Sequence, residues 1–255
     1  MRNIFITGGT GKIGGQLVAA FIRQGNRVIT TTRKIENLGK LKDRFNLNEK
    51  EMEALVGIEV DFNLENATDT ILSFFKSNET YFPHVLVNNA RSLENLKVNI
   101  DGTSDRKHIS NEYTINVIVP YELSVKLASL SPDLNSIINI SSIYGIVPFN
   151  PNLYGDNYEK SAPIQYSLSK AAILQLSREL AIRFRHKKIK VNTVSYGGVE
   201  GRVDDTFRAR YAKLCPEGNM LTEEQTVGPV VFLASEGSNG ITGQNIIQDG
   251  GWTVW

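Results

Sequence analysis

Apolar residues along the chain follow two different periods. Short runs of β-branched and aliphatic residues predict strands, and their nearly continuous apolar character is typical of strands buried on both faces of a parallel sheet. Between these runs, apolar positions recur every three to four residues, which predicts helices. The predicted strands are Ile4–Thr7, Val28–Thr31, Ile58–Val60, Val85–Val87, Ile137–Ile140, Val191–Val194 and Asn245–Ile247. The predicted helices are Gln16–Gln24, Asn66–Lys76, Glu112–Leu130, Gln165–His186 and Glu223–Ser235.

Strands and helices alternate along the whole chain. This alternation predicts an α/β fold, with a doubly wound, Rossmann-like parallel sheet and helices on both faces. We expect residues 1–255 to form a single domain, because no repeat, linker or low-complexity tract divides them. The segments 143–165 and 198–220 fit the alternation poorly, and we expect them to be loops over a substrate site.

Composition argues against several classes of partner. The chain has 28 basic and 27 acidic residues, and a net charge of +1 gives no field that would hold nucleic acid or an anionic membrane. No run approaches the ~20 apolar residues of a membrane helix. One cysteine allows no internal disulfide, and the three histidines lack metal-ligand spacing. The sequence therefore predicts a cytoplasmic protein that acts on a small molecule, without metal, nucleic acid or membrane.

A glycine-rich turn, Thr7–Gly14, joins the first predicted strand to the first helix. Glycines at such a turn let backbone N–H groups approach a phosphate, and the helix N-terminus adds a favourable dipole. The position predicts a dinucleotide site, and a tight turn without a ligand is the alternative. The candidate cofactor-binding residues here are Gly8, Thr10, Gly11, Lys12, Ile13 and Gly14.

The end of the second predicted strand indicates which dinucleotide binds. Sites for NAD usually place an acid there, about 20 residues after the glycines. Here Thr30–Thr32 precede Arg33, and no acid is present. Hydroxyls followed by a cation suit a 2′-phosphate, so NADP is the predicted cofactor. NAD stays the alternative, because Glu36 is near and Arg33 would be an ordinary surface residue if solvated.

Tyr166 and Lys170 stand four residues apart near the start of a long predicted helix, and therefore on one helix face. A neighbouring ammonium stabilises a phenolate, which lets a tyrosine exchange a proton with an alcohol or carbonyl oxygen. This spacing alone is common on helix surfaces. Ser142 strengthens the assignment, because it follows the strand Ile137–Ile140 at the sheet edge where ligands bind in open α/β folds.

Asn116 lies within the predicted helix Glu112–Leu130, four residues before Pro120. Proline has no N–H to donate to the carbonyl of Asn116, so we expect a kink there with a free carbonyl. That carbonyl could hold a water that reaches Lys170. An irregularity without function is the alternative.

These residues together resemble the short-chain dehydrogenase/reductase family, in its short single-domain form. The resemblance covers nearly the whole chain. The motifs that carry it are Thr7–Gly14, Asp61, Asn88-Asn89-Ala90, Asn116, Ser142, Tyr166, Lys170, Val191-Asn192, Ile241–Gln244 and Asp249–Gly251. The C-terminal part and the length also look somewhat like dehydrogenases of bacterial surface-sugar and flagellin-modification pathways.

The resemblance implies a catalytic tetrad and a set of cofactor contacts. Tyr166 would be the acid/base, and Lys170 would lower its pKa and bind the cofactor. The implied tetrad is Asn116, Ser142, Tyr166 and Lys170. The implied cofactor contacts beyond the glycine turn and Arg33 are Asp61, Phe62, Asn88, Ala90, Tyr166, Lys170 and Val199.

The chain departs from the family's pattern at three positions. Lys12 stands where many short members have glycine, and the resulting glycine spacing resembles extended members that act on nucleotide sugars. Arg91 follows Asn88-Asn89-Ala90 where glycine is usual, and Tyr196 replaces a proline. None of these removes a catalytic group.

The resemblance also implies a homo-oligomer, a tetramer or a dimer. Trp252 and Trp255 near the end of the chain favour this, because two exposed tryptophans would be unusual for a monomer. The alternative is that both pack within their own subunit.

The sequence therefore predicts an NAD(P)-dependent oxidoreductase that interconverts an alcohol and a ketone on a small polar substrate, such as a sugar derivative. The alternatives are a dinucleotide-binding sensor without chemistry and an epimerase or dehydratase on the same fold. Aromatic and polar residues of the first loop and basic residues of the second favour a polyhydroxylated, anionic substrate. They are Phe149, Asn150, Asn152, Tyr154, Asp156, Asn157, Tyr158, Arg202, Arg208, Arg210, Tyr211 and Lys213.

Overall fold

A seven-stranded parallel sheet forms the middle layer of the computed structural model. The structure describes residues 1–201 and 203–255, and the side chain of Asn157 is not described. Two predicted substrate contacts, Arg202 and the Asn157 side chain, therefore lie outside the described residues. The strands are β1 (Asn3–Ile6), β2 (Arg27–Thr32), β3 (Leu55–Glu59), β4 (Val85–Asn88), β5 (Ser136–Ser142), β6 (Lys190–Tyr196) and β7 (Asn245–Gln248). Their order in the sheet is β3-β2-β1-β4-β5-β6-β7.

Helices connect successive strands. Those of the first half are α1 (Lys12–Arg23), α2 (Asn37–Phe45), α3 (Glu49–Glu53), α4 (Ala67–Ser77) and α5 (Arg106–Tyr113). Those of the second half are α6 (Val119–Leu130), α7 (Pro151–Tyr154), α8 (Tyr158–Ser161), α9 (Ile164–Arg183), α10 (Asp205–Leu214) and α11 (Val227–Ala234). Among the described residues, no helix is both long and apolar enough to cross a membrane.

Alternate residues of each strand enter cores on opposite faces of the sheet. In β1, Phe5 packs with residues of α4, α6 and α9, whereas Ile4 and Ile6 pack with residues of α1 and α11. These three side chains are almost fully buried. Both strand faces are apolar because helices cover both, which confirms the predicted doubly wound α/β sheet.

Three segments contain helices that the sequence does not predict. The segment between β2 and β3 forms α2 and α3, and the predicted loop 198–220 contains α10. These helices give little periodic signal, because α2 buries only Leu41, α3 buries none of its residues and α10 buries only Tyr211. The predicted loop 143–165 likewise contains the short helices α7 and α8.

The predicted helix Glu112–Leu130 is not continuous. A π-helical turn, Thr114–Ile118, separates α5 from α6, and Pro120 lies in the first turn of α6. Because proline cannot donate to the carbonyl four residues earlier, the wider turn occurs where the sequence predicts irregularity. The turn contains Asn116 and buries it.

The expectation of two exposed C-terminal tryptophans is wrong for Trp252. Its side chain is 5% exposed and stacks on Tyr211 with 4.4 Å between ring centroids. Trp255 is 79% exposed. Trp252 thus belongs to a small third core, formed where α10 and the C-terminal segment meet the loop after β5.

Candidate active site

The glycine turn leaves the N-terminus of α1 open. Gly8 has φ +69°, and its carbonyl accepts the N–H of Gly11 at 3.0 Å. Gly11 precedes α1 without any side-chain cap, so the first backbone N–H groups of the helix lack a side-chain acceptor. A Cβ at Gly14 would overlap the Gly8 carbonyl oxygen, which explains why the turn requires glycine there. Uncapped donors and a helix dipole fit the phosphates of a dinucleotide.

Threonines at the end of β2 stabilise this turn through hydrogen bonds to its backbone. Thr31 Oγ1 accepts the N–H of Gly8 at 2.8 Å, and Thr30 Oγ1 accepts the N–H of Gly9 at 2.9 Å. Thr32 Oγ1 lies 3.4 Å from Thr10 Oγ1. The sequence assigned these hydroxyls to a 2′-phosphate, whereas two of them shape the turn itself.

Arg33, the residue after β2, carries a solvent-facing cation. Its side chain is 66% exposed, and its Nη1 lies 3.4 Å from a carboxylate oxygen of Glu94 in the segment after β4. Such an exposed pair contributes little to stability. The guanidinium is therefore available to a ligand at this edge of the sheet.

The other predicted cofactor contacts lie at neighbouring strand ends. Asn88 Nδ2 donates to Asn139 Oδ1 at 2.8 Å, and the N–H of Ala90 donates to Thr7 Oγ1 at 3.0 Å. Asp61 Oδ1 accepts the N–H of Asn63 at 3.0 Å in the turn after β3. Phe62, beside it, is almost fully buried.

Lys12 connects the glycine turn to the segment after β6. Its Nζ donates to the carbonyl of Val199 at 3.4 Å and lies 3.7 Å from Glu223 Oε1. Val199 in turn forms a bridge with Leu221. Ile13, the next residue, is partly buried against the core around α1. Lys12 thus links the glycine turn to the segment that contains Val199, and both are predicted to contact the cofactor.

Tyr166 and Lys170 lie on α9 beside the end of β5. Lys170 Nζ donates to the carbonyl of Ile140 at 2.9 Å and lies 5.8 Å from the ring centroid of Tyr166. Ser142 is two residues beyond Ile140, at the last position of β5. A Cβ on Gly145 would lie 2.5 Å from the Lys170 carbonyl oxygen, so glycine allows the turn after Ser142 to approach α9.

Asn116 reaches the same helix from the π-helical turn. Its Nδ2 donates to Ser169 Oγ at 3.2 Å, one residue before Lys170. Ser142 Oγ accepts the N–H of Tyr144 at 3.3 Å. Among the described residues no direct hydrogen bond joins Ser142 to the Tyr166 hydroxyl. The four predicted tetrad residues therefore lie at the N-terminal part of α9 or next to it. Tyr166 is half-buried, and the other three are buried.

Glu112 is a site residue that the sequence reasoning missed. It is fully buried and accepts a hydrogen bond from Asn116 Nδ2 at 2.6 Å, while its Oε2 has no partner among the described residues. Burial raises the pKa of Glu112, and the charge of Lys170 opposes this shift. Burial, with the positive charge of Arg91, lowers the pKa of Lys170 to about 7, and Glu112 opposes that shift. A polar residue one helical turn before Asn116 was the available signal.

Arg91 and an aromatic wall, formed by Tyr144, Phe149 and Tyr154, complete the site. The Arg91 guanidinium carbon lies 5.1 Å from the Tyr166 ring centroid. Tyr144 lies 6.5 Å from the same ring, stacks on Phe149 with centroids 3.9 Å apart, and has its hydroxyl 3.0 Å from that of Tyr154. The loop 143–165 therefore brings its aromatic residues to Tyr166.

The segment 198–220 contacts this wall through α10. The rings of Phe207 and Tyr154 are 5.6 Å apart, and Arg210 Nη1 lies 3.5 Å from the Leu153 carbonyl. One predicted substrate contact lies in the core, and another forms an exposed ion pair. Tyr211 is buried beneath Trp252, and Arg208 forms an ion pair with Asp205 at 3.2 Å.

Comparisons with known proteins support the fold described above. A family model described as enoyl-(acyl carrier protein) reductase matches residues 10–253. A short-chain dehydrogenase from Leptospira borgpetersenii, solved with bound NAD+, superposes with a TM-score of 0.83 at 26% identity, over 99% of this chain and 92% of that one. ElxO, solved with NADP bound, has a TM-score of 0.82 at 24% identity over the full length of both chains, which shows the fold alone.

The chain spans less than half the length of two of the curated relatives it matches. Post-translational flagellin modification protein A of Campylobacter coli is 38% identical over 46% of this chain and 45% of its own length. A D-arabinitol 2-dehydrogenase of Candida albicans is 24% identical over 99% of this chain and 92% of its own. An uncharacterized short-chain type dehydrogenase/reductase of Sinorhizobium fredii is 26% identical, and the chain spans 43% of its length.

Proposed function

The chain belongs to the short-chain dehydrogenase/reductase family, and on that premise we propose that it interconverts an alcohol and a ketone with a nicotinamide dinucleotide. One observation carries the proposal. Lys170 lies against the Tyr166 ring at the carboxyl end of β5, and Asn116 contacts the same helical turn. This edge of the sheet also holds the open glycine turn, so proton exchange and phosphate binding would take place at the same edge.

Tyr166 is the acid/base in this proposal. When bound, the nicotinamide supplies or accepts the hydride. During reduction, the Tyr166 hydroxyl gives its proton to the carbonyl oxygen, and during oxidation the phenolate takes the proton of the alcohol. Ser142 donates a hydrogen bond to the same oxygen. The Lys170 ammonium stabilises the phenolate, and Asn116 holds the proton path behind it.

The cofactor would lie along the carboxyl edge from β3 to β6. The backbone of Gly8, Gly11 and Gly14 and the N-terminus of α1 would bind the phosphates. Arg33 would bind a 2′-phosphate, which makes NADP the preferred cofactor over NAD. Support for NADP comes from the exposed Arg33 cation and the lack of an acid at the end of β2. Similar structures contain NAD+ or NADP, so the preference rests on this chain's own residues.

The substrate would be a small polar molecule, with a sugar derivative preferred. Hydroxyl-bearing rings of Tyr144 and Tyr154 line the approach to Tyr166, and such amphipathic walls suit polyhydroxylated compounds. The D-arabinitol dehydrogenase and flagellin-modification relatives are consistent with this choice. Apolar long-chain substrates would require a more continuous apolar lining.

A cofactor-coupled screen tests the proposed function. Sugars, sugar phosphates, nucleotide sugars, steroids and acyl thioesters are offered with NADP(H) and NAD(H), and the cofactor absorbance is followed. We expect stoichiometric net oxidation or reduction with at least one polar compound. Product formation without a net cofactor change would support an epimerase or dehydratase instead. Cofactor binding without turnover of any compound would support the sensor alternative, and turnover of steroids or acyl chains alone would refute the sugar assignment.

We also propose a homo-oligomer, a dimer or tetramer. Exposed apolar side chains lie on the outer surfaces of α6 and α9, and exposed apolar surface of this kind often marks a protein interface. They are Tyr121 (42% exposed), Ile164 (63%), Leu168 (50%) and Ile182 (66%). Sedimentation as a monomer at micromolar concentration would contradict this. A cytoplasmic location stays a prediction.

A further inference from the structure

We infer that Arg91 is the anion-binding residue of the substrate site, so that the substrate carries a carboxylate or phosphate close to its reacting alcohol or ketone. The inference rests on the proposed oxidoreductase function and narrows the substrate class of that same site. Its starting point is the position of one cation against the residue assigned to proton transfer.

Arg91 lies two residues beyond Asn89, in the segment that follows β4. Its guanidinium carbon is 5.1 Å from the Tyr166 ring centroid, and the residue is exposed. A ring contact of this kind uses none of the five guanidinium N–H donors, which form a planar fork that matches carboxylate and phosphate oxygens. Donors for an anion are therefore present at the Tyr166 ring.

No carboxylate neutralises Arg91 within the described part of the chain. Other arginines do form ion pairs, including Arg33 with Glu94, Arg44 with Glu223, and Arg208 with Asp205. Burial raises the pKa of Glu112 and the charges of Lys170 and Arg91 oppose this shift, but Glu112 is fully buried and hydrogen-bonded to Asn116 and forms no described ion pair with Arg91. The exposed guanidinium is left with its charge unpaired at the mouth of the site.

A second cation lies beside it. Lys170 is buried against Ile140, and the positive charge of Arg91 contributes to lowering the pKa of Lys170. Two cations at one site repel each other, with only the buried Glu112 to offset them. An anionic substrate group near Arg91 would relieve this repulsion, so charge as well as geometry favours an anion.

The aromatic wall limits where the rest of the substrate lies. Tyr144 and Tyr154 stand on the side of Tyr166 formed by the loop 143–165. Burial raises the pKa of Tyr154 to about 12, and the charge of Arg91 opposes this shift. The anion would thus lie between Arg91 and these hydroxyls, while the reacting carbon lies at Tyr166. This arrangement selects compounds in which the two groups are close in the same molecule.

Paired probes test the inference. Each pair consists of an anionic compound and its uncharged partner: a sugar phosphate with its parent sugar, and a hydroxy or oxo carboxylate with its carboxamide. We compare wild type with Arg91→Met and Arg91→Lys, and use Arg185→Met as the control, because Arg185 is exposed and, among the described residues, its side chain donates a hydrogen bond to the Ile182 carbonyl. The two kinds of pair distinguish phosphate from carboxylate.

We expect wild type to prefer the anionic member of at least one pair. Arg91→Met should lower kcat/KM for that member by about 10- to 100-fold, the usual effect of losing a hydrogen bond to a charged group. The uncharged member should lose clearly less than the anionic member when both are compared at a pH well below the Lys170 pKa of about 7, so that the variant's effect on that pKa does not enter. Arg91→Lys should retain part of the preference, because it keeps the charge and loses the fork. The Arg185 variant should match wild type.

A binding measurement separates this inference from the proposed function. Inorganic phosphate and malonate are titrated into the cofactor-loaded protein, with binding followed by calorimetry, so no turnover is required. Binding of either probe that Arg91→Met weakens tenfold or more supports the inference even if no substrate turns over. An equal loss on charged and uncharged probes would overturn it. So would a weakened cofactor Kd with the anion preference intact, which would make Arg91 a cofactor residue.

Discussion

The side-chain amide of Asn116 donates a 2.6 Å hydrogen bond to Glu112, a carboxylate that is fully buried behind the candidate active site. Glu112 and Arg91 act on Lys170 in opposite directions, the acid raising and the arginine lowering its pKa. Burial is the largest influence and lowers that pKa from 10.5 to about 7. Burial, Arg91 and Glu112 together therefore determine the pH at which Lys170 loses its charge, and a substitution of either charged residue should change that pH.

The first prediction concerns the pH dependence of reduction. With a pKa of about 7, Lys170 carries its charge below that pH and loses it above. Because the ammonium supports Tyr166, kcat/KM for ketone reduction should fall as pH rises through about 7. A pH profile of kcat/KM measures this in the free enzyme. A profile that is flat from pH 6 to about 9 would contradict it.

The second prediction is a pair of opposite shifts in that profile. Glu112→Gln removes an anion beside Lys170, so the decline in kcat/KM should move to lower pH. Arg91→Met removes a cation, so the decline should move to higher pH. Each shift should amount to some tenths of a pH unit or more. Glu53→Gln on α3 is the control, since Glu53 is exposed. If both variants moved the decline in the same direction, Glu112 and Arg91 would not have opposite effects on the pKa of Lys170.

The third prediction concerns the close approach of Gly145 to α9. Gly145→Ala would place a Cβ 2.5 Å from the Lys170 carbonyl oxygen, so the turn after Ser142 must move. We expect a loss of about 1–3 kcal/mol in the free energy of unfolding, together with a lower kcat. Gly39→Ala is the matched control, because nothing lies within 4 Å of its added Cβ on α2. Urea unfolding and steady-state kinetics measure both variants, and equal behaviour would contradict the steric argument.

The fourth prediction contrasts two tryptophans. Trp252→Ala removes a buried ring that stacks on Tyr211 and should cost about 3–5 kcal/mol of unfolding free energy. Trp255→Ala removes a ring that is 79% exposed and should cost less than about 1 kcal/mol in the isolated subunit. Urea titrations under identical conditions compare them. A greater cost at Trp255 would mean that the chain's end is buried in an assembly.

The fifth prediction concerns cofactor choice. Arg33→Ala should weaken NADP binding by about tenfold or more, since a charge-assisted contact to the 2′-phosphate is lost. Binding of NAD should stay within about threefold, because NAD has no such phosphate. Lys34→Ala serves as the neighbouring control. Tighter binding of NAD than NADP by wild type, or an unchanged NADP Kd in the variant, would overturn the assignment.

Most of the sheet was predictable because its strands are apolar on both faces. Val85–Val87 are apolar at every position and Ile137–Ile140 at every position except Asn139, since helices cover both sides of β4 and β5. The helices α2 and α10 were not predictable from the same pattern. Each buries a single side chain, so polar residues surround most of the helix and the periodic signal is weak.

The candidate site was predictable in its local parts and not in its long-range contacts. The spacing of Tyr166 and Lys170 and the kink at Asn116 follow from local geometry. Arg91 over Tyr166 and Tyr211 beneath Trp252 are contacts between distant segments, which residue spacing does not reveal. The sequence predicts Tyr211 as a substrate contact from its residue type and loop position, whereas in the fold its side chain packs in the third core.

The most direct test of the proposed activity is Tyr166→Phe, with turnover and cofactor affinity measured on the same preparations. The substitution removes one hydroxyl and keeps the ring that Arg91 and Lys170 contact. We predict a loss of about 10²- to 10⁴-fold in kcat, the usual contribution of a general acid/base, with the cofactor Kd little changed. Turnover within about tenfold of wild type would contradict the assignment of Tyr166 as the proton donor.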